Sequence, residues 1–533
     1  ASLVSGLAPL SAQSQVLIPQ AALPAVAGDE ALETLMAAGQ RLEGERRWAE
    51  ALSHYEDALR ERPDDARLKA SVDRTRVHYD LGRRYADSTF VALLGRVGLP
   101  DALALYDELL DKINQHYVTT PDWRGIVARG TFALDGALSD EIFVARHLPQ
   151  ATAEQIQAFR TELHQHMAWR PVRNLNEAND AVHVAARLAN SRLGVSPTAV
   201  VMEYASGAIT GLDNYSSYLT EAQLDDVFSQ IEGNFVGLGI ELKAEEGVLK
   251  IVAVIEGSPA DRAGIVEGDR ITAVDGRTTI EVSTDKAADM LKGEEGSTVD
   301  VTVVSGEAPP RLVRVRRERV EVPSVDQVKI ADPQFGIGYL RINSFQKTTV
   351  RDLDAALWSL HRQGMRSLII DVRGNPGGLL TASVEAADRF VSDGNIVSTR
   401  GRSPREDFDY KAHRVGTWRV PLFVLIDGDS ASASEIFAGA VRDHGRGLVI
   451  GERSYGKGSV QGIFPLGVAK SGVRLTTAKF YTPAGIAISN RGVEPNLTVH
   501  SAAKPIDGQV APPADDAIMN AGLQAARGQL SQR

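Results

Sequence analysis

Residues 421–461 read PLFVLIDGDSASASEIFAGAVRDHGRGLVIGERSYGKGSVQ. PLFVLI and GLVIGE are apolar runs of strand length, and ASEIFAGAVRD between them reads as a helix. The pattern is strand, loop, helix, strand, loop. Upstream the alternation continues with FGIGYLRI at 335–342, a helical DLDAALWSLHRQ at 352–363, SLIIDV at 367–372, and a helix after Gly378. Continuous apolar strands between helices predict an α/β layer with a mixed, largely parallel sheet. Ligands of such sheets sit in loops at the carboxyl ends of strands. Those loops are RGNPGG (373–378), DGDSASASE (427–435) and SYGKGSVQ (454–461).

A serine hydroxyl is a poor nucleophile until a base removes its proton. His444 follows Ser432 by 12 residues, which along a helix is about 18 Å, so a local Ser/His pair is excluded. The other histidines fall mostly in the N-terminal region, and His361, His413 and His500 lie in no strand-end loop. Lysine is the remaining base, and Lys457 sits between glycines in a GKG turn after a buried strand. An ordinary lysine titrates near 10.4, so burial must bring it down by about three pH units, about 4 kcal/mol. Both residues also have a structural reading, Lys457 as a solvated turn residue and Ser432 with Glu435 as an S-x-x-E helix capping box. A helix N-terminus offers unpaired N–H groups and a positive dipole end, which suit an oxyanion as well as a cap. Locally, both readings stand.

Residues 228–320 change character. The strands LKIVAVI, RITAV and TVDVTVV alternate with Gly-rich turns and one short helix, DKAADMLKG. VGLGIEL at 236–242 followed by EGSPADRAGIVEGDRITAVDG at 256–276 closely resembles the PDZ fold. In that fold a GLGI-type loop presents backbone N–H groups to a C-terminal carboxylate, and the peptide adds a strand to the sheet edge. The resemblance places Leu238, Gly239 and Ile240 at the carboxylate and the helix bearing Ala288 and Leu291 along the groove.

DVRGNPGG (371–378), SASASEIFAGAVRDHGRGLVIGERSYGKGSVQ (430–461) and VRLTTAKFYTPAGIAI (473–488) together resemble the protease core of the carboxy-terminal processing, or tail-specific, serine peptidases. The match covers about 205–500, with a partial match around ALYDELLDKINQHYV (104–118); in GLDNYSSYL (211–219) Asn214 stands where the family usually has proline. The resemblance implies that Ser432 is the nucleophile, Lys457 the general base, and Gln461 the residue that orients the lysine. It implies an oxyanion hole from the N–H groups of Gly377 and Ala433, no cofactor and no metal. Asp443 matches an acidic residue sometimes grouped with the catalytic set, but lies about 16 Å from Ser432 along a helix and is read as structural.

The fold expected is multi-domain α+β, with an N-terminal helical region, a PDZ module and an α/β protease core. Residues 1–30 read as an export-signal remnant or linker, the small-residue stretch ASLVSGLAPLSAQSQ at 1–15 carrying the signal. Residues 31–118 read as helical with one tetratricopeptide-like repeat, in which Gly39, Ala51, Tyr55, Ala58 and Pro63 take the small, aromatic and terminating positions. No second copy follows, since Asp73 and Tyr85 stand one period after Gly39 and Ala51. Such a repeat must be covered by later helices, and it is read as a cap or dimerisation arm, with binding of a partner protein the alternative. Residues 119–227 lead into the protease, 228–320 form the PDZ domain, 321–500 the core and 501–533 a C-terminal tail.

Composition sets limits. The 533 residues carry a net charge of −11 and no cysteine, which removes disulfides, thiolate metal sites and a cysteine nucleophile. No basic stripe with interleaved aromatics suggests nucleic acid, and no apolar run of 18 residues suggests a membrane span. The expected partners are proteins or peptides with a free C-terminus, in an exported, periplasmic or extracellular setting. Two alternatives are a catalytically silent PDZ and repeat adaptor on a protease-like scaffold, and an α/β enzyme using the oxyanion hole on a thioester. Retention of Ser432, Lys457, Gln461 and NPGG together speaks against the first, and the PDZ module against the second.

Overall fold

The computed structural model describes residues 26–245, 248–280, 282, 287, 290–500 and 516–531. The chain divides into two units, residues 1–86 with 136–144, and 87–135 with 145–533.

The first unit contains the helices Val26–Gly44, Trp48–Glu61 and Ala66–Ala86. Ala51, Tyr55 and Ala58 are buried with Leu32, and Leu68 and Val72 of the third helix close the cluster. Gly39 leaves the room that the Tyr55 ring occupies, since a Cβ there would lie 2.2 Å from Tyr55 Cζ. The first helix starts at Val26, so residues 26–30 are helical and not a linker. The signal stretch at 1–15 lies outside the described residues.

In the second unit the helix Pro197–Thr210 is apolar on all sides and buried along nearly its whole length, as an all-round apolar helix must be. It packs on Leu99–His116 and Leu175–Leu193 and runs into the loop that carries Asp213 and Tyr215. Among the described residues no helix is long and apolar enough to cross a membrane.

The β-rich module is a sheet in the order Ile240–Glu245, Val248–Val254, Arg270–Val274, Thr298–Val304, Arg311–Arg316, with Arg277–Thr278 paired to Arg270–Val274. Its own core includes Leu249, Ile251, Ile271, Val299, Val301 and Val303. Both connections pass through one antiparallel ribbon, Asn234–Gly237 paired with Glu318–Glu321. The helix Glu221–Glu232 runs past position 228, so this ribbon marks the module's entry.

The core sheet runs Val325–Asp332, Ile337–Ile342, Ser367–Asp371, Leu422–Ile426, Leu448–Gly451, Leu497–Thr498. The first pair is antiparallel and every later pair parallel. Three of these strands therefore end together, with Asp371 beside Leu425 and Ile426 beside Gly451. One face is covered by the helices Thr349–Arg362, Leu380–Asp388 and Ala433–Asp443, through Leu353, Leu357, Leu360, Ala386, Phe437 and Val441. Each fully buried large aliphatic side chain contributes roughly 1.5–3 kcal/mol.

The other face buries Ile337, Ile369, Leu425 and Ile450 against Ile518, Ala526 and Leu530 of the helix Ala517–Ser531. Within the expected tail at 501–533, residues 517–531 are therefore no tail but a helix whose apolar stripe covers the sheet. A bidentate pair from Arg373 to Asp516, at 2.7 and 2.9 Å, ties the start of that helix to the loop after Asp371. A second sheet, in the order Ser217–Leu219, Gly472–Tyr481, Asn395–Gly401, Phe408–Lys411, also pairs Ser459–Pro465 with Gly472–Tyr481.

Candidate active site

Three strand-end loops meet around Ser432. Of the three serines in SASAS, Ser430 is fully buried and its hydroxyl lies 2.9 Å from Val372 O. Ser434 is equally buried and donates to Asn375 O at 3.0 Å. Both are fastenings between the loop and its neighbour. Ser432, between them, is partly open, and its hydroxyl donates no hydrogen bond among the described residues.

Ser432 stands at the sharp passage from the preceding loop into the helix Ala433–Asp443, with φ 55° and ψ −111°. A non-glycine residue held in so sparsely populated a region costs of order 1–3 kcal/mol. The strained turn lifts the hydroxyl out of the core, in the manner of the nucleophile elbow of other hydrolases. The Ala433 N–H, first in the helix, donates to no protein acceptor among the described residues. Gly377 packs directly on this turn, where a Cβ would lie 2.8 Å from Ser432 Cβ and 2.9 Å from Ala433 N, and its φ of +110° disfavours any side chain.

The Gly377 N–H itself is engaged. Asn375 Oδ1 accepts it at 2.8 Å, closing an Asx turn, and Asn375 Nδ2 donates to Ile342 O at 2.8 Å. The expected role of Gly377 as a free oxyanion donor is thus not met in this arrangement, whereas Ala433 has its donor free.

Glu435 is the clasp of the site. Fully buried, it accepts Ser432 N–H at 2.7 Å and Lys457 N–H at 2.9 Å on Oε2. Its Oε1 takes Ser454 Oγ at 2.6 Å and Gly456 N–H at 2.7 Å. One carboxylate oxygen therefore joins the backbones of Ser432 and Lys457. Burial pushes the carboxyl up, and the four hydrogen bonds draw it down. The S-x-x-E spacing revealed a cap; nothing local revealed that the same side chain also holds the 454–457 loop.

Lys457 reaches into a partly apolar setting. Burial pushes its ammonium below the ordinary lysine value, Arg474 pushes the same way, and Glu435 opposes them. Its Nζ lies 5.2 Å from the centroid of the Tyr215 ring and donates no hydrogen bond to Ser432 or Gln461 among the described residues. Gln461 Nε2 donates instead to Ser459 Oγ at 2.8 Å, just after a register shift between Val460 and Gln461. A bulge of this kind re-aims side chains beside a site.

His444 closes the far end of the helix and its Nε2 contacts Asn395 O at 2.7 Å. Asp443 Oδ2 accepts the Ala484 N–H at 3.0 Å, a structural bond to the 482–487 turn.

In the β-rich module the carbonyls of Leu238 and Gly239 accept Ala260 N–H and Ile255 N–H, both at 2.9 Å. Gly239 has φ +81°, and a Cβ there would meet Ser258 Cβ at 2.3 Å. Ile240 opens the strand at the sheet edge. Leu238 and Leu291 are buried in the module's own core, and Ala288 lies outside the described residues.

The core and the β-rich module each match a known family. The model of peptidase family S41 matches residues 336–499, and that of the PDZ domain residues 250–305. A carboxy-terminal-processing protease of Bartonella bacilliformis is 38% identical over 301 residues, 55% of this chain and 68% of the relative. A carboxyl-terminal-processing protease of Picosynechococcus is 34% identical over 293 residues, 54% of this chain and 70% of the relative. Among solved structures, the photosystem II D1 C-terminal processing protease is 25% identical, with 76% of this chain and 95% of that chain covered and a TM-score of 0.38. The chain therefore belongs to the carboxy-terminal-processing proteases of peptidase family S41, serine peptidases, and carries a PDZ domain.

Proposed function

We propose that the chain hydrolyses proteins or peptides at or near their C-termini through a Ser432/Lys457 dyad. The observation that carries this reading is the Glu435 carboxylate, which holds the one partly open serine of SASAS and a partly desolvated lysine on the same oxygen. Ser432 Oγ attacks the scissile carbonyl while neutral Lys457 takes its proton. The oxyanion is received by Ala433 N–H and by the NPGG turn, where the Gly377 donor must first leave Asn375. Lys457 then returns the proton to the leaving amine; the neutral lysine next takes a proton from water, whose oxygen attacks the acyl carbon, and passes that proton to Ser432 Oγ as the acyl C–O bond breaks. Gln461 orients the lysine once Nζ turns toward Ser432, a tightening common between resting and reacting geometry.

The PDZ module binds the substrate tail at Leu238, Gly239 and Ile240, adding a strand along the open edge of Ile240–Glu245. Ala288 and Leu291 stay in the proposal as groove residues on the resemblance alone. The helices Val26–Gly44 and Trp48–Glu61 are read as one tetratricopeptide-like repeat, through the Gly39 and Tyr55 contact, and serve a partner protein or self-association. The test is hydrolysis of an unstructured protein with an apolar tail by the full chain and by Ser432→Ala. Turnover must vanish in the variant with fold and tail binding intact; substantial turnover by Ser432→Ala overturns the assignment.

A further inference from the structure

Lys457 Nζ lies 5.2 Å from the centroid of the Tyr215 ring, inside the roughly 6 Å at which an aromatic face attracts a cation. The turn that carries the ring is held at its backbone. Asp213 Oδ1 accepts Tyr215 N–H at 2.7 Å and Ser216 N–H at 2.8 Å, an Asx turn. Ser216 Oγ donates to Asp213 Oδ2 at 3.1 Å and accepts Thr476 N–H at 3.3 Å, pinning the turn to the strand Gly472–Tyr481. The backbone that carries the ring is thus anchored to the second sheet and not to the lysine's loop.

We propose that Tyr215 is a positioning residue for Lys457, whose ring face seats the charged ammonium where it makes no hydrogen bond to Ser432 among the described residues and so sets the fraction of neutral amine available as base. This rests on the Ser–Lys reading above. The charged groups that act on the lysine are Arg474 from the strand Gly472–Tyr481 and Glu435 from the helix Ala433–Asp443, and those that act on the Tyr215 phenol are Tyr455 on the lysine's own loop, Glu435 and Asp213. Burial and Arg474 favour the neutral amine, and Glu435 favours the ammonium. A ring face attracts an ammonium but not a neutral amine, so Tyr215 acts with Glu435 and against the other two. Burial pushes the Tyr215 phenol up to about 12, so it acts at neutral pH as an uncharged ring.

The test titrates the amine itself. Pulse acetylation of full-length Ser432→Ala with acetic anhydride over a pH series, read by mass on the peptide containing Lys457, gives the midpoint for Tyr215, Tyr215→Phe and Tyr215→Leu. Tyr215→Phe keeps the ring and leaves the midpoint in place, whereas Tyr215→Leu lowers it by about 0.5–1.5 pH units. Phenylalanines of increasing fluorination at position 215, which keep the shape while emptying the ring face, lower it stepwise and supply the answer if the leucine variant does not fold. With Ser432 restored, the acid limb of kcat/KM moves down by the same amount for Leu and not for Phe. A midpoint unmoved by fluorination, or raised in Tyr215→Leu, overturns the proposal. The dyad fails separately: hydrolysis by Lys457→Arg removes it whatever the titration does, while inactive Lys457 variants with an unmoved midpoint remove Tyr215 alone.

Discussion

Replacing Glu435 by glutamine preserves shape and changes one oxygen into an amide nitrogen. The carboxylate accepts four hydrogen bonds, two on each oxygen, from Ser432 N, Lys457 N, Ser454 Oγ and Gly456 N. In the variant, two of these donors face another donor. A buried donor left without an acceptor costs about 1–3 kcal/mol, and relief from burying a charge returns part of it. The net expectation is about 3 kcal/mol, which lowers Tm by about 6–12 °C for a domain the size of the protease core at 321–500. Activity falls further than stability, because Ser432 N and Lys457 N share Oε2 and a misplacement of about 1 Å costs roughly a hundredfold in rate. Thermal unfolding and kcat measured together on Glu435→Gln decide the matter. A variant with unchanged Tm and undiminished kcat refutes the view that this carboxylate joins the two loops.

A substrate pair differing only in an amidated C-terminus is expected to show a raised KM for the amide, since charge-assisted hydrogen bonds to a carboxylate are about twice as strong as neutral ones; equal kinetics on the full chain would show that the PDZ loop does not read the tail. Gly377→Ala places a methyl 2.8 Å from Ser432 Cβ at φ +110°, and should abolish turnover while the PDZ module still binds peptide in a calorimeter. Burial pushes the Asp516 carboxyl up, but hydrogen bonds from Arg373 and the Met519 N–H carry it below the ordinary carboxylate value. Its contribution is therefore present above the ordinary Asp range and lost as pH falls through the folded-state value. Asp516→Asn should lower the urea midpoint at neutral pH, with the gap to the parent chain closing in acid; a gap that widens in acid contradicts the pairing.

The core was legible because its strands are buried on both faces and read as unbroken apolar runs, as in SLIIDV and PLFVLI. The helix Ala517–Ser531 was not, because its stripe of Ile518, Ala526 and Leu530 is thin and acquires meaning only against the sheet it covers. At the site, the linked motifs located Ser432 and Lys457, but the choice among three serines is physical only once Ser430 and Ser434 are seen bonded to Val372 O and Asn375 O. The engagement of Gly377 by Asn375 is local, two residues apart in NPGG, whereas the seat of Lys457 on Tyr215 arises from a contact between loops distant in sequence. No spacing within either loop encodes that second contact.

In the proposed dyad a lysine, and not a metal or a histidine, takes the proton from Ser432. Its most direct test is hydrolysis of an unstructured protein by the full chain and by Lys457→Arg, each with and without a chelator. Guanidinium stays protonated and cannot serve as a base, so the variant should be inactive at an unchanged Tm, and the parent's rate should be the same with chelator present. Hydrolysis retained by Lys457→Arg, or abolished in the parent chain by the chelator, would contradict the dyad.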